Sequence, residues 1–208
     1  MTPEKAMVMT TGLAPDGLKF AVLAFLAGLA ATIFSPIGAL FGLLLSGSVL
    51  LFYRDPDREI TTEGVAAPAD GKVSVIRRED DQLRVGTYMS ARDVHVNRAP
   101  LAGTVQKVTH KPGGYKLAFS KDSDNNEQLH IEFENFTVVL IAGWFARRIH
   151  PYVEAGDEVE KGDRIGHISF GSRADVLLPP EIKEDMLAVE KGDRVYAGTS
   201  MLAHGFKE

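Results

Sequence analysis

The chain has 208 residues, room for one domain of ordinary size and not for two large ones. Charged residues make up 25% and the net charge is −5, which excludes a disordered acidic tail and a basic nucleic-acid binder. Cysteine is absent, so disulfide scaffolds, thiolate zinc sites and a cysteine nucleophile are excluded, and the composition fits a reducing compartment.

From residue 20 to residue 52 the chain reads FAVLAFLAGLAATIFSPIGALFGLLLSGSVLLF, with no charged residue. One straight helix of that length would span about 50 Å, against a hydrocarbon core of about 30 Å. Ser35-Pro36 lies near the middle, and proline disfavours a continuous helix. Two helices of about 16 residues, each slightly short for a full span, are therefore expected. Lys5 and Lys19 precede the run and Arg54 and Arg58 follow it. Positive charge on both sides places both ends on the cytoplasmic face of the cell membrane. A signal peptide has a shorter apolar core, and a buried core pair carries some polar face. The expected division is an N-terminal segment, 1–53, holding a membrane hairpin, and a β-rich domain, 54–208.

Past Arg54 the helical spacing of apolar residues stops. Runs at 71–76, 83–86, 103–105 and 132–141 alternate or are β-branched, with Gly, Asp and Pro between them at intervals of about ten residues. A short helix is expected only near Ala91 or within 180–187. Residues 153–166, VEAGDEVEKGDRIG, resemble the hairpins of lipoyl- and biotinyl-type barrels, and EKGDR at 160–164 recurs at 190–194. The same letters also make a good β-turn on their own. The expected fold class is mainly β, a small sandwich or barrel with a lipoyl-like hairpin pattern behind a membrane helical hairpin. A carrier lysine in swinging-arm context is missing.

GxGxxG and P-loop patterns are missing, and His130, His150, His167 and His204 lack metal-ligand spacing, so no metal is expected. Four segments stand out beyond folding needs: FYRDPDR at 52–58, APADG at 67–71, DVHVNRAP at 93–100 and FGSRADVLLP at 170–179. With HKPGGY at 110–115 and Asn126-Glu127 between them, these segments, in this order, resemble the phosphatidylserine decarboxylase family, specifically its short bacterial branch. The resemblance covers nearly the whole chain.

The resemblance implies a proenzyme that makes its own cofactor. Gly171-Ser172 is the implied processing site: the Ser172 hydroxyl attacks the Gly171 carbonyl, the carboxylate of the resulting ester leaves by β-elimination, and the dehydroalanine left at 172 tautomerises to an imine that water hydrolyses with release of ammonia. A pyruvoyl group remains at 172, covalently part of the chain. Large and small chains then form a heterodimer, and further homo-oligomers are left open. The pyruvoyl forms a Schiff base with phosphatidylserine, loses CO2 and releases phosphatidylethanolamine, with bilayer lipid as the other partner. Asp70 matches the aspartate of self-processing and His95 the histidine of decarboxylation, for which an imidazole suits. The second histidine that completes the processing triad in better-known members is Arg98 here, and a guanidinium is a poor base. His95 serving both steps, His110 substituting, or strain at Gly171-Ser172 are all open, and Arg98 suits a lipid phosphate or substrate carboxylate instead. Arg54, Arg58, Arg147 and Arg148 are candidates for holding anionic lipid. Two rival readings are a decarboxylase of an ether-linked serine lipid and a non-catalytic membrane-anchored adaptor.

Overall fold

In the computed structural model the described residues are 12–14, 16–114, 125–143, 149–168 and 172–205. Lys5, Arg147, Arg148 and Gly171 lie outside them. The chain forms two units, one ending at Asp57 and the other beginning at Arg58.

The first unit is built on two helices, α1 (Gly17–Ala31) and α2 (Ile37–Phe52), with the break at residues 32–36 where Ser35-Pro36 was expected to cause it. Its two ends are tied together: Ala14 N–H donates to the Tyr53 carbonyl at 2.7 Å and Asp55 N–H to the Gly12 carbonyl at 2.8 Å. Glycines line the seam. A β-carbon at Gly28 would collide with the Gly42 backbone, and one at Gly38 would sit 2.7 Å from the Ala31 carbonyl carbon. The large apolar side chains point outward instead: Phe34 is 91% and Ile33 82% exposed at the tip, and Leu and Phe residues line both helices to either side. This pattern inverts the usual soluble helix pair, in which the large side chains fill the seam. Helices of 15 and 16 residues are about 22–24 Å long. Among the described residues, no helix is long and apolar enough to cross a membrane.

The second unit is mainly β. Its strands are β1 (Val65–Ala66), β2 (Gly71–Glu79), β3 (Gln82–Met89), β4 (Val96–Arg98), β5 (Gly103–Thr104), β6 (Lys107–Lys111), β7 (Gln128–Glu132), β8 (Thr137–Ile141), β9 (Ile149–Pro151), β10 (Glu158–Val159), β11 (Arg164–Ile168), β12 (Ser172–Leu177), β13 (Arg194–Val195) and β14 (Met201–Ala203). A seven-stranded antiparallel sheet runs β13-β2-β3-β12-β8-β7-β6, beside a three-stranded sheet β4-β11-β9 and the pairs β1-β14 and β10-β5. The sheets are open, which corrects the expectation of a barrel. The expected soluble helix is one 3-10 turn, Glu184–Met186. The expected continuous run 132–141 is a hairpin instead: β7 ends at Glu132, Phe133 N–H bonds the Phe136 carbonyl at 2.9 Å, and the two phenyl rings stack at 4.2 Å. Glu134-Asn135 form the turn, and flanked by Phe133 and Phe136 they are too short a polar break to mark the bend in the sequence.

The repeated EKGDR segments turn out to be a shared turn rather than a duplicated hairpin. In both, the aspartate N–H donates to the glutamate carbonyl three residues back, at 3.1 Å, while Asp163 and Asp193 each accept the glutamate N–H through Oδ2. Glu154 to Asp157 repeats the arrangement. Gly156, Gly162 and Gly192 take φ of 96°, 87° and 105°, which a side chain would disfavour.

β12 sits at the centre of the large sheet and is buried on both faces. Ala174 and Val176 join the apolar core with Val85, Val138, Leu140 and Ile131. On the other face Arg173 grips Asp175 with two bonds, Nε to Oδ1 at 2.7 Å and Nη2 to Oδ2 at 2.9 Å, and Arg84 adds Nη1 to Oδ2 at 2.9 Å. Gly86 stands opposite Asp175 on β3, and a β-carbon there would press its Oδ1 at 2.5 Å. The Arg and Asp of the GSRAD segment therefore fix the strand that presents Ser172.

Candidate active site

Three of the four segments singled out in the sequence meet at one end of the large sheet, joined there by Arg58, the last residue of the fourth. Ser172 opens β12 and pairs with Met89 at the end of β3; Tyr88 in turn pairs with Lys72 at the start of β2, just after Asp70. Asp70 and Ser172 are thus about two strand spacings apart, about 10 Å across the sheet. Gly71, between them, has φ 146°, and a β-carbon on it would collide with the Tyr88 carbonyl. The close strand approach at this corner needs glycine. The 93–100 segment lies against 67–70: Arg98 N–H donates to the Pro68 carbonyl at 2.8 Å and Ala66 N–H to that of Pro100 at 2.9 Å.

Ser172 is wholly buried, and among the described residues the recorded partner of its hydroxyl is the Met89 sulfur at 4.0 Å. The same sulfur receives Asn97 Nδ2 at 3.6 Å, which joins the DVHVNR strand to the serine through one side chain. Among the described residues Asn97 Oδ1 is buried with no hydrogen-bond partner, a costly state that makes Asn97 a further candidate for the site, one the sequence reading passed over. Its only sequence signal was its place in the motif.

His95 is buried just before β4. Its backbone carbonyl receives Ile168 N–H at 3.2 Å, and only residues 169–171 separate Ile168 from Ser172. Its Nδ1 lies 2.9 Å from the Asp93 carbonyl. A carbonyl only accepts, so Nδ1 carries the proton and Nε2 of the neutral ring holds the lone pair. The remaining candidates are placed differently. Both Asp70 oxygens are engaged, Oδ2 by Arg58 Nη2 at 2.7 Å and Oδ1 by Ala197 N–H at 2.8 Å. Arg98 is buried and donates Nη1 to the Gly162 carbonyl at 3.0 Å. His110 stands on β6, three strands from β12, and pairs with Glu127 at 2.8 Å.

One neighbouring group had no sequence signal at all. His167 on β11 pairs in register with His150 on β9; the rings stack at 4.6 Å and 3°, and Tyr152 Oη lies 2.9 Å from His167 Nδ1. Burial, with His150 and His95 adding positive repulsion, pushes His167 down to about 3 from 6.5. The native ring stays neutral while an unfolded one takes up a proton below 6.5, so stability is complete above pH 6.5 and falls as pH drops toward 3. The slope from this group is about 1.4 kcal/mol per pH unit. Urea midpoints between pH 7 and pH 4 are expected to show that slope in the native chain and to lose it in His167→Phe, which keeps a stacking ring. Parallel slopes would contradict the assignment.

Ser172 is thus buried at a sheet corner beside Met89 and Asn97, where the 67–71 and 93–100 segments pack against each other. Comparison with known proteins identifies the family. The profile of the family described as phosphatidylserine decarboxylase matches residues 45–203. A Halobacterium salinarum protein named "Putative archaetidylserine decarboxylase proenzyme" is 53% identical over 89% of this chain and 95% of its own. The phosphatidylserine decarboxylase proenzyme of Streptomyces avermitilis is 48% identical over 76% of this chain and 74% of its own, and that of Thermobifida fusca 46% over the same shares. The chain belongs to the phosphatidylserine decarboxylase family.

Proposed function

We propose that this protein is a phosphatidylserine decarboxylase that cleaves itself between Gly171 and Ser172 and works with a pyruvoyl group left at position 172. The observation that carries the reading is Ser172 buried at the corner where His95 and the 67–71 segment converge. The setting suits the group: the hydroxyl's recorded partner is a thioether rather than a strong acceptor, and the strand behind it is held by the Arg84, Arg173 and Asp175 cluster. The pyruvoyl supplies an electron sink for the charge left on the substrate α-carbon when CO2 departs. His95, with Nδ1 held by the Asp93 carbonyl, would take up a proton at Nε2 and donate it to that carbon once CO2 has left. Asp70 acts in processing through the network that holds Arg58 and the Ala197 amide. The Arg98 bond to Gly162 favours a role in bracing the corner over direct capture of a phosphate.

Cleavage leaves a small chain of residues 172–208. Its strands β12, β13 and β14 bond β3 and β8, β2, and β1, all from the large chain. That interleaving supports a heterodimer that persists after the cut. The headgroup chemistry is common to diacyl and ether-linked serine lipids. Vesicles of phosphatidylserine supplied to purified protein are expected to yield phosphatidylethanolamine and CO2; no conversion of any serine phospholipid would refute the reading.

The hairpin fits a substrate that lives in a bilayer. Its outward Phe, Leu and Ile side chains and glycine seam support insertion at the cytoplasmic face of the cell membrane, and its helix lengths favour a shallow, re-entrant hairpin over a full span. Ile33→Asp with Phe34→Asp puts two charges on the tip. The doubly substituted protein is expected to lose most of its binding to sedimenting vesicles while keeping its fold; unchanged binding would exclude insertion of the tip.

A further inference from the structure

Asp93 is a buried carboxylate that neither processing nor decarboxylation has used so far, and it is bonded on every side. Its Oδ2 accepts Ser90 N–H at 2.8 Å and Ser90 Oγ–H at 2.7 Å, and its Oδ1 accepts Arg194 Nη2 at 2.5 Å. Its own N–H donates to the Ser90 carbonyl at 2.9 Å, and its carbonyl is the one that receives His95 Nδ1. Burial works against ionisation of this carboxyl, yet the Ser90 donors and the Arg194 charge outweigh it and hold the group below its ordinary value.

Residues 90–95 belong to neither a strand nor a helix. A histidine on such a loop is only as well aimed as its anchors. The Asp93 carbonyl fixes which imidazole nitrogen bears the proton, and the Asp93 side chain fixes where that carbonyl points. Arg194 comes from β13, which pairs with β2 at Lys72 on the rigid sheet, and its guanidinium also lies 5.7 Å from the Tyr196 ring. Loop and sheet are thus pinned together through one ion pair.

We infer that Asp93 and Arg194 are positioning residues for His95 and that their ion pair joins the two chains across the cleavage point. Asp93 and His95 precede residue 171 and Arg194 follows it, so the small chain holds the proton-transfer group of the large one. This rests on the decarboxylase reading. The pair is not needed to hold the chains together, since β12, β13 and β14 already do so by backbone pairing. Its loss therefore acts on the rate rather than on assembly.

The test is steady-state decarboxylation of phosphatidylserine in mixed micelles, with cleavage scored by mass. In the self-cleaved protein, Arg194→Met is expected to lower kcat about tenfold to hundredfold, the scale of a misaimed proton-transfer group, with KM unchanged. Arg194→Lys restores most of the loss, and Asp93→Asn reproduces it. In a His95→Ala background, Arg194→Met changes nothing further, because both act on the same step. A cleaved Arg194→Met protein with native kcat overturns the inference, as does a full additional loss in the His95→Ala background. A rise in KM alone also overturns it and makes Arg194 a lipid-phosphate ligand, and an uncleaved chain overturns it by moving the pair into processing. Failure of the unaltered protein to cleave or to decarboxylate would instead refute the decarboxylase reading itself.

Discussion

Ser172→Ala is expected to fold, to remain one chain and to release no CO2 from a serine phospholipid. The alanine has no nucleophile for the Gly171 carbonyl, so the chain is not cut and no ketone arises at 172. The loss is complete rather than graded, because the hydroxyl supplies both the attacking atom and the precursor of the cofactor. The fold should survive. Among the described residues the hydroxyl's recorded partner is the Met89 sulfur at 4.0 Å, and removing one hydroxyl with so weak a partner costs about 1 kcal/mol or less. The strand stays anchored by Arg173, Arg84 and Asp175 on its other face. Ser172→Cys keeps a nucleophile and is expected to cut slowly. Gel mobility and a headgroup assay read both variants, and a Ser172→Ala chain that is cut or active would end the account.

His95→Ala is expected to lower turnover by roughly 10² to 10⁴, the usual contribution of a placed general acid or base. The His95 backbone carbonyl holds Ile168, three residues short of Gly171, which ties this histidine to the segment leading into Ser172. Its Nδ1 is committed to the Asp93 carbonyl, which leaves Nε2 to exchange the proton. With Arg98 at the place of a second histidine, its guanidinium directed at Gly162, His95 is also the remaining base within this segment for processing. Cleavage and turnover must therefore be scored separately. Cleaved His95→Ala protein with native turnover would remove the residue from the reaction.

How much of this was legible beforehand follows from the range of each signal. The two helices and their break at Ser35-Pro36 were readable because an uncharged run and one proline are local facts. The EKGDR repeat was readable as a turn for the same reason, and misread as a barrel hairpin because a turn motif says nothing about where its flanking strands pair. The β7–β8 hairpin was missed because Glu134-Asn135, between Phe133 and Phe136, is too short a polar break to mark the bend. Ser172, His95 and Asp70 stood out by motif, yet nothing local says that the 67–71 segment lies against 93–100. His150, His167 and Tyr152 come together only through β9–β11 register, and Asp93 meets Arg194 across about half the chain. Such pairs belong to the topology, which spacing along the chain does not encode.

The claim on which all else depends is that the chain cuts itself at Gly171-Ser172. The direct measurement is the intact mass of protein purified without added protease. The account predicts two species, residues 1–171 and a small chain beginning at residue 172, whose blocked N-terminus resists Edman sequencing and whose mass carries a pyruvoyl in place of serine. A single species at the full 22.6 kDa, from protein that still binds membranes, would contradict it and favour a non-catalytic adaptor.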